Sequence, residues 1–88
     1  MKKLVTVEEI EGEGLEALLG ENVLIFSMNY IYTGKLVGVN EKFIKLEDAK
    51  IVYETGPFTD KNYKDAQSLP TKDWYIQLTS IESFGIGK

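Results

Sequence analysis

The 88-residue chain has no cysteine, no histidine and no arginine, and only two prolines, Pro57 and Pro70. Without cysteine there is no disulfide, no thiol nucleophile and no cysteine-based metal site. Without histidine the commonest general base and metal ligand near neutral pH is missing. All ten basic residues are lysines, which bring point charge but not the bidentate reading of phosphates and guanine edges that arginine provides. The longest apolar run, Val23–Phe26, is far too short to span a bilayer. The start, MKKLVTVEEIEG, opens like a secretory leader, but Glu8, Glu9 and Glu11 break any apolar stretch. A soluble, cytoplasmic protein without membrane contact is expected.

What is present suits one small globular domain. The chain is 43% hydrophobic, enough for a single core and too short for two. A core of that size gains stability when copies associate. Charge is unevenly placed. Residues 1–21 hold Lys2 and Lys3 against six glutamates, while the rest balances eight lysines with eight acids, so the whole net charge of −4 lies on the lead-in segment. Glu47, Asp48, Asp60, Asp65 and Asp73 have neither metal-ligand spacing nor a base beside them, and no glycine-rich loop opens a helix. No enzyme and no cofactor is expected.

The patterning predicts the elements in order. Lys3–Val7 alternates weakly, as a short strand does. In the lead-in 1–13, Gly12 interrupts that alternation, and Gly14–Leu19 then predicts a short amphipathic helix with Leu15, Leu18 and Leu19 on one face. Gly20 stands where a helix end takes a left-handed residue. A first strand over Val23–Met28 is apolar on both faces, with Leu24, Phe26 and Met28 the expected inward set. Asn29 is expected to turn the hairpin with a positive φ. The second strand, Tyr30–Val39, contains Gly34 and Gly38, which permit a sharp bend. Asn40–Lys42 is the next turn. The third strand, Phe43–Glu54, places Ile44 and Leu46 on one face and Phe43, Lys45 and Glu47 on the other. Thr55–Asp73 reads as one long loop with a possible helical turn in Asp60–Gln67, and its length invites a protein-docking role. Trp74–Leu78 and Ile81–Phe84 close the chain as two short strands. The expected fold is mainly β, a short helix and a strongly bent five-stranded antiparallel barrel of the SH3-like kind.

The pattern Tyr32-x-Gly34-x-Leu36-x-Gly38-x-Asn40, followed by a strand ending Leu46-Glu47-Asp48-Ala49, resembles the first motif of the Sm-like proteins, which include the Sm and LSm proteins and the bacterial RNA chaperone Hfq. Leu15-Glu16-Ala17-Leu18-Leu19-Gly20 looks like that family's N-terminal helix, and Ile76–Ile81 resembles its second motif in spacing. The resemblance covers residues 15–54 and 74–84 and implies a single Sm-like domain over 1–88. It further implies a homo-oligomeric ring of roughly five to seven copies joined head to tail, with single-stranded RNA or DNA bound at the inner rim. By that resemblance Asn40, Lys42, Phe43, Gln77 and Thr79 are the nucleic-acid-binding positions. Trp74, Tyr75, Ile76, Leu78, Ile81 and Phe84 are the subunit contacts.

The reading residues themselves are altered. Asn40 stands where the family has a turn-setting acid, and the base-reading asparagine's place falls to Phe43 or Ile44. Tyr75-Ile76 replaces the Lys-His pair of Hfq; in the archaeal pattern Gln77 replaces the arginine and Leu78 the glycine. Stacking on Phe43 with Lys42 near a phosphate is the mode left open. The plainer reading makes Phe43 a core or interface residue and Lys42 a solvated turn lysine. Trp74, Tyr75, Tyr30, Tyr32, Tyr53 and Tyr63 divide in the same way between a stacking platform and core or interface. A ring of these chains carries about −20 to −28, which opposes a polyanion unless the acids lie away from the pore. The alternative is a structural or protein-interaction ring that has lost RNA binding, with a protein partner on residues 55–73.

Overall fold

The computed structural model describes residues 13–88; the possible strand Lys3–Val7 lies outside them. Six antiparallel strands form one sheet: β1 (Asn22–Ser27), β2 (Ile31–Val39), β3 (Phe43–Glu54), β4 (Asp65–Ser68), β5 (Asp73–Gln77) and β6 (Ile81–Ile86). The path runs β4-β3-β2-β1-β6, and β5 also pairs with β3. β3 therefore serves two partners on one edge, β5 along Phe43–Glu47 and β4 along Lys50–Glu54.

The changeover falls on a bulge. Thr33 pairs with Lys50 and Lys35 with Glu47, so Gly34 alone faces both Asp48 and Ala49. Asp48 adopts φ 53°, the left-handed region, which re-aims the strand and increases its twist. A Cβ on Gly34 would lie 3.0 Å from Ala49 Cα and 3.2 Å from the Glu47 carbonyl oxygen, so only glycine lets the two backbones approach this closely. The segment after β4 covers the same point: Leu69 N–H donates to the Ala49 carbonyl at 3.0 Å and Asp48 N–H to the Lys72 carbonyl at 2.8 Å. A second register shift in β2, between Leu36 and Gly38, adds another bend.

The core is Val23, Ile25, Leu36, Ile44, Leu46, Ala49 and Ile76, with Leu15, Leu18, Trp74, Leu78 and Ile81 packed against it. Among the described residues no second sheet and no long helix lies over this core. The sheet must bend around its own apolar face to keep it dry. Thr33 is buried there because its hydroxyl donates to the Val23 carbonyl at 2.8 Å.

Several expectations are corrected. Val23 and Ile25 of β1 enter the main core cluster, because the pairing register places odd-numbered residues over it; of the expected set Leu24 is also buried, Phe26 is half-buried and Met28 is 76% exposed. The lead-in helix is a single 3₁₀ turn, Leu15–Leu18, between Gly14 at φ 78° and Gly20 at φ 88°; so short a segment cannot sustain α-helix. Leu15 and Leu18 reach the core and Leu19 does not. Asn29 lacks the positive φ expected of it, Asp48 being the only described non-glycine residue that has one. The sheet has six strands rather than five, because β4 lies inside the expected loop where a helical turn was placed. Its sequence, Asp-Ala-Gln-Ser, has no strand preference, and its pairing is imposed by the second half of β3.

Gly34→Ala is expected to destabilise the fold by about 1–3 kcal/mol in urea denaturation. Gly38→Ala, whose Cβ would meet only the Lys45 side chain at 3.3 Å, should cost clearly less. Asp48→Val should cost about 1–2 kcal/mol through its φ.

Candidate nucleic-acid interface

The turn between β2 and β3 is built by one side chain. Asn40 Oδ1 accepts hydrogen bonds from the backbone N–H of Lys42 and of Phe43, both at 2.8 Å, and Asn40 N–H donates to the Phe43 carbonyl at 3.0 Å. Asparagine does this because its short amide reaches its own backbone two and three residues on. Lys42 is thereby held at the tip with an exposed side chain.

Residues far apart in sequence meet at this turn. Phe43 pairs with Gln77 across β3 and β5. Leu78 N–H donates to the Lys42 carbonyl at 2.9 Å, which joins the first turn to the 3₁₀ turn Leu78–Ser80 linking β5 to β6. Ser80 Oγ donates to the Gln77 carbonyl at 2.9 Å, and the Ser80 carbonyl accepts from Met28 N–H at 2.9 Å. Asn40, Lys42, Phe43, Gln77 and Thr79 are all exposed at this end of the sheet.

The outer faces of β3 and β5 extend the surface. Phe43, 38% exposed, meets Tyr75, 54% exposed, edge to face with centroids 5.5 Å apart. Lys45 Nζ lies 5.9 Å from the Tyr75 ring centroid and 3.7 Å from Asp73 Oδ2. Beside Tyr75 and Gln77 runs a cleft of about 350 Å³, lined also by Ser27, Tyr30, Tyr32 and Ser80. Tyr30 and Tyr32 stand edge to face at 6.2 Å. Ser27 Oγ is buried there without a hydrogen-bond partner among the described residues. Desolvation by burial, reinforced by the neighbouring Tyr30, raises the Tyr32 hydroxyl above the ordinary phenol value. Chemically, the surface offers aromatic faces, a lysine at its tip and amide and hydroxyl groups. Among the described residues no three acidic side chains are grouped to hold a metal ion.

Compared with known proteins, the chain matches no family model, no curated protein and no solved structure. The site rests on its geometry.

The residues expected at subunit contacts separate into two groups. Ile76 is 4% exposed and belongs to the chain's own core, and Trp74, Leu78 and Ile81 pack half-buried against that core. Tyr75 and Phe84 are exposed. Among the aromatics Tyr30, Tyr53 and Tyr75 are each about half exposed and so stand outside the chain's own core. Among the described residues β5 pairs only with β3 and β6 only with β1. The Leu78-to-Lys42 bond sets Trp74, Ile76 and Leu78 in hydrogen-bonding register with β3 and turns the backbone of Tyr75 and Gln77 to the open edge. The Gly87 N–H to Asn22 carbonyl bond, 2.8 Å, likewise turns Phe84 and Ile86 to the open edge of β6. Sequence reasoning did not single out Lys45, and it named Tyr30, Tyr32 and Tyr75 among the candidate stacking aromatics without joining them in one cleft. The period-two alternation that placed Phe43 and Lys45 together was the available signal.

Asn40→Ala should destabilise the protein by about 1–2 kcal/mol and speed hydrogen exchange at the Lys42 and Phe43 amides. The Tyr32 proton is held more tightly in the folded state, so its contribution is full below 10.0 and is lost as pH rises through the higher folded value. Tyr32→Phe should therefore flatten the fall of the urea midpoint as pH rises from 10.0 toward that higher value.

Proposed function

We propose that this chain forms an Sm-like homo-oligomeric ring that binds single-stranded RNA or DNA weakly, with little sequence preference, in RNA or DNA processing. The observation that carries the reading is the joining of the two turns, Phe43 opposite Gln77 and Leu78 bonded to Lys42. It gathers the five residues implied by the resemblance on one exposed surface. Aromatic faces bind bases irrespective of sequence, each stack contributing about 1–3 kcal/mol. Phe43 and Tyr75 supply such faces, Lys42 meets a phosphate, and Gln77 and Thr79 hydrogen-bond to base edges. With no arginine on the surface, affinity stays low and discrimination poor.

Assembly is supported by the two open edges. The backbone groups of Tyr75 and the N–H of Gln77 at the open edge complement those of Phe84 and Ile86 on another copy, and pairing of this kind removes both edges at once. Contacts between unlike faces close into rings when the rotation between copies closes. The exposed side chains of Phe84 and Ile86 are covered in the process, and the Tyr75 ring stays beside Phe43 on the outer face. A protein-interaction ring without nucleic acid is the second reading, favoured by the net charge of −4 and by the exposed ring of Phe58 on the segment after β3.

Titration of labelled oligo(U), oligo(A) and single-stranded DNA at two salt concentrations should give weak, salt-dependent binding. Phe43→Ala should weaken it by about 1–3 kcal/mol, and Lys42→Ala should reduce the log–log salt slope by about 0.7 per strand contact. Absence of binding at low salt would leave the protein-interaction ring. Light scattering should show an oligomer at micromolar concentration. Gln77 has φ −69°, which suits proline, so Gln77→Pro should fold yet shift the particles to smaller size by blunting the β5 edge. A stable wild-type monomer would refute the ring.

A further inference from the structure

Away from this surface, Lys88 folds back from the end of β6 onto the segment between β3 and β4. Its Nζ donates to three backbone carbonyl oxygens, those of Thr55 at 2.7 Å, Pro57 at 2.9 Å and Asn62 at 3.0 Å. The rings of Tyr63 and Phe58 flank it, with centroids 4.8 and 5.8 Å from the ammonium nitrogen. The same carbonyls hold the segment's own turns: Asp60 N–H donates to Pro57 O at 3.0 Å and Lys64 N–H to Thr55 O at 3.3 Å.

The main chain of Lys88 is fixed as firmly. Its N–H donates to Tyr63 Oη at 3.0 Å. Thr33 Oγ1 gives its hydrogen to the Val23 carbonyl, so Tyr63 Oη is the donor across the 3.4 Å that separates the two hydroxyls. A Cβ on Gly87 would stand 2.8 Å from Tyr63 Oη and 3.1 Å from the Val23 carbonyl, so glycine is needed for this approach.

Three carbonyl dipoles aimed at one point repel one another unless a cation stands between them. A primary ammonium brings three N–H donors to three acceptors, and the two rings favour its charge. A guanidinium is planar and a quaternary ammonium has no donor, so neither satisfies the three carbonyls. We propose that the segment Thr55–Tyr63 is a receptor for a primary alkylammonium group, filled by Lys88 of the same chain, and that its occupant holds the segment in its folded conformation.

Lys88→Met keeps the length and removes the charge. Hydrogen exchange at the Asp60 and Lys64 amides should rise about tenfold, while amides of β1, β2 and β3 stay as they are. In Lys88→Ala, added n-propylammonium should restore protection at the two amides saturably. Equal concentrations of tetramethylammonium or potassium should not. The proposal is overturned if Lys88→Met leaves both amides unchanged, if the loss of protection spreads evenly over the strands, or if tetramethylammonium or potassium restores it as well as the primary amine. None of these outcomes depends on nucleic-acid binding or on assembly.

Discussion

The close approach of Gly34 to Ala49 is the constraint on which the rest of the structure depends. Among the described residues one sheet has no second layer over it, and it keeps Val23, Ile25, Leu36, Ile44, Leu46 and Ile76 dry by bending across them. The bend needs a place where two backbones come closer than a side chain allows. Gly34 supplies that on β2, and the left-handed Asp48 supplies the extra residue on β3. From this one point β3 is handed from β5 to β4, and the segment Leu69–Lys72 crosses it with two backbone hydrogen bonds. A flat β3 would have a single partner on that edge and no turn-to-turn contact at the far end.

The candidate surface follows from that hand-over. With β5 docked on the first half of β3, Phe43 lies opposite Gln77, and the Asn40 turn is bonded to the turn after β5. Asn40 spends its side-chain carbonyl on two backbone donors, so it shapes the turn and the exposed Lys42, Phe43 and Gln77 remain for a ligand. The chemistry on offer is aromatic, with one exposed lysine at the tip of the turn. It suits sequence-tolerant stacking better than hydrogen-bonded base reading. The six glutamates of residues 1–21 carry the excess charge; on this surface Lys45 is paired with Asp73 and Lys42 is the exposed cation at the tip. At physiological salt such fields fade over about 8 Å.

Much of the fold was legible because strands with one buried face announce themselves by alternation. Phe43–Glu54 was read to its observed ends, and Ile44 and Leu46 were placed on the correct face. The glycines of β2 were legible as bending points, although their use is close approach and not a special φ. What was not legible is non-local. β4 has no strand composition of its own and pairs because β3 presents an edge. Val23 and Ile25 could not be told from Leu24 and Phe26, since β1 is apolar on both faces and only register decides between them. The turn residues of the candidate site were named through a resemblance. Their mutual contact, and the adjoining cleft of Tyr30, Tyr32 and Tyr75, emerge only when β5 is placed on β3.

Two charged devices thus occupy different parts of one small sheet. Near the start of β3 a lysine is left outward on a turn, where a polyanion can meet it. Beyond the end of β3 another lysine is folded inward and caged by carbonyls and rings. The central claim concerns the first of these, and photo-crosslinking tests it most directly. Single-stranded RNA carrying 4-thiouracil, irradiated with the protein and mapped by mass spectrometry, should attach at Phe43 and Tyr75. Crosslinks concentrated on residues 55–64, or none at low salt, would contradict the account.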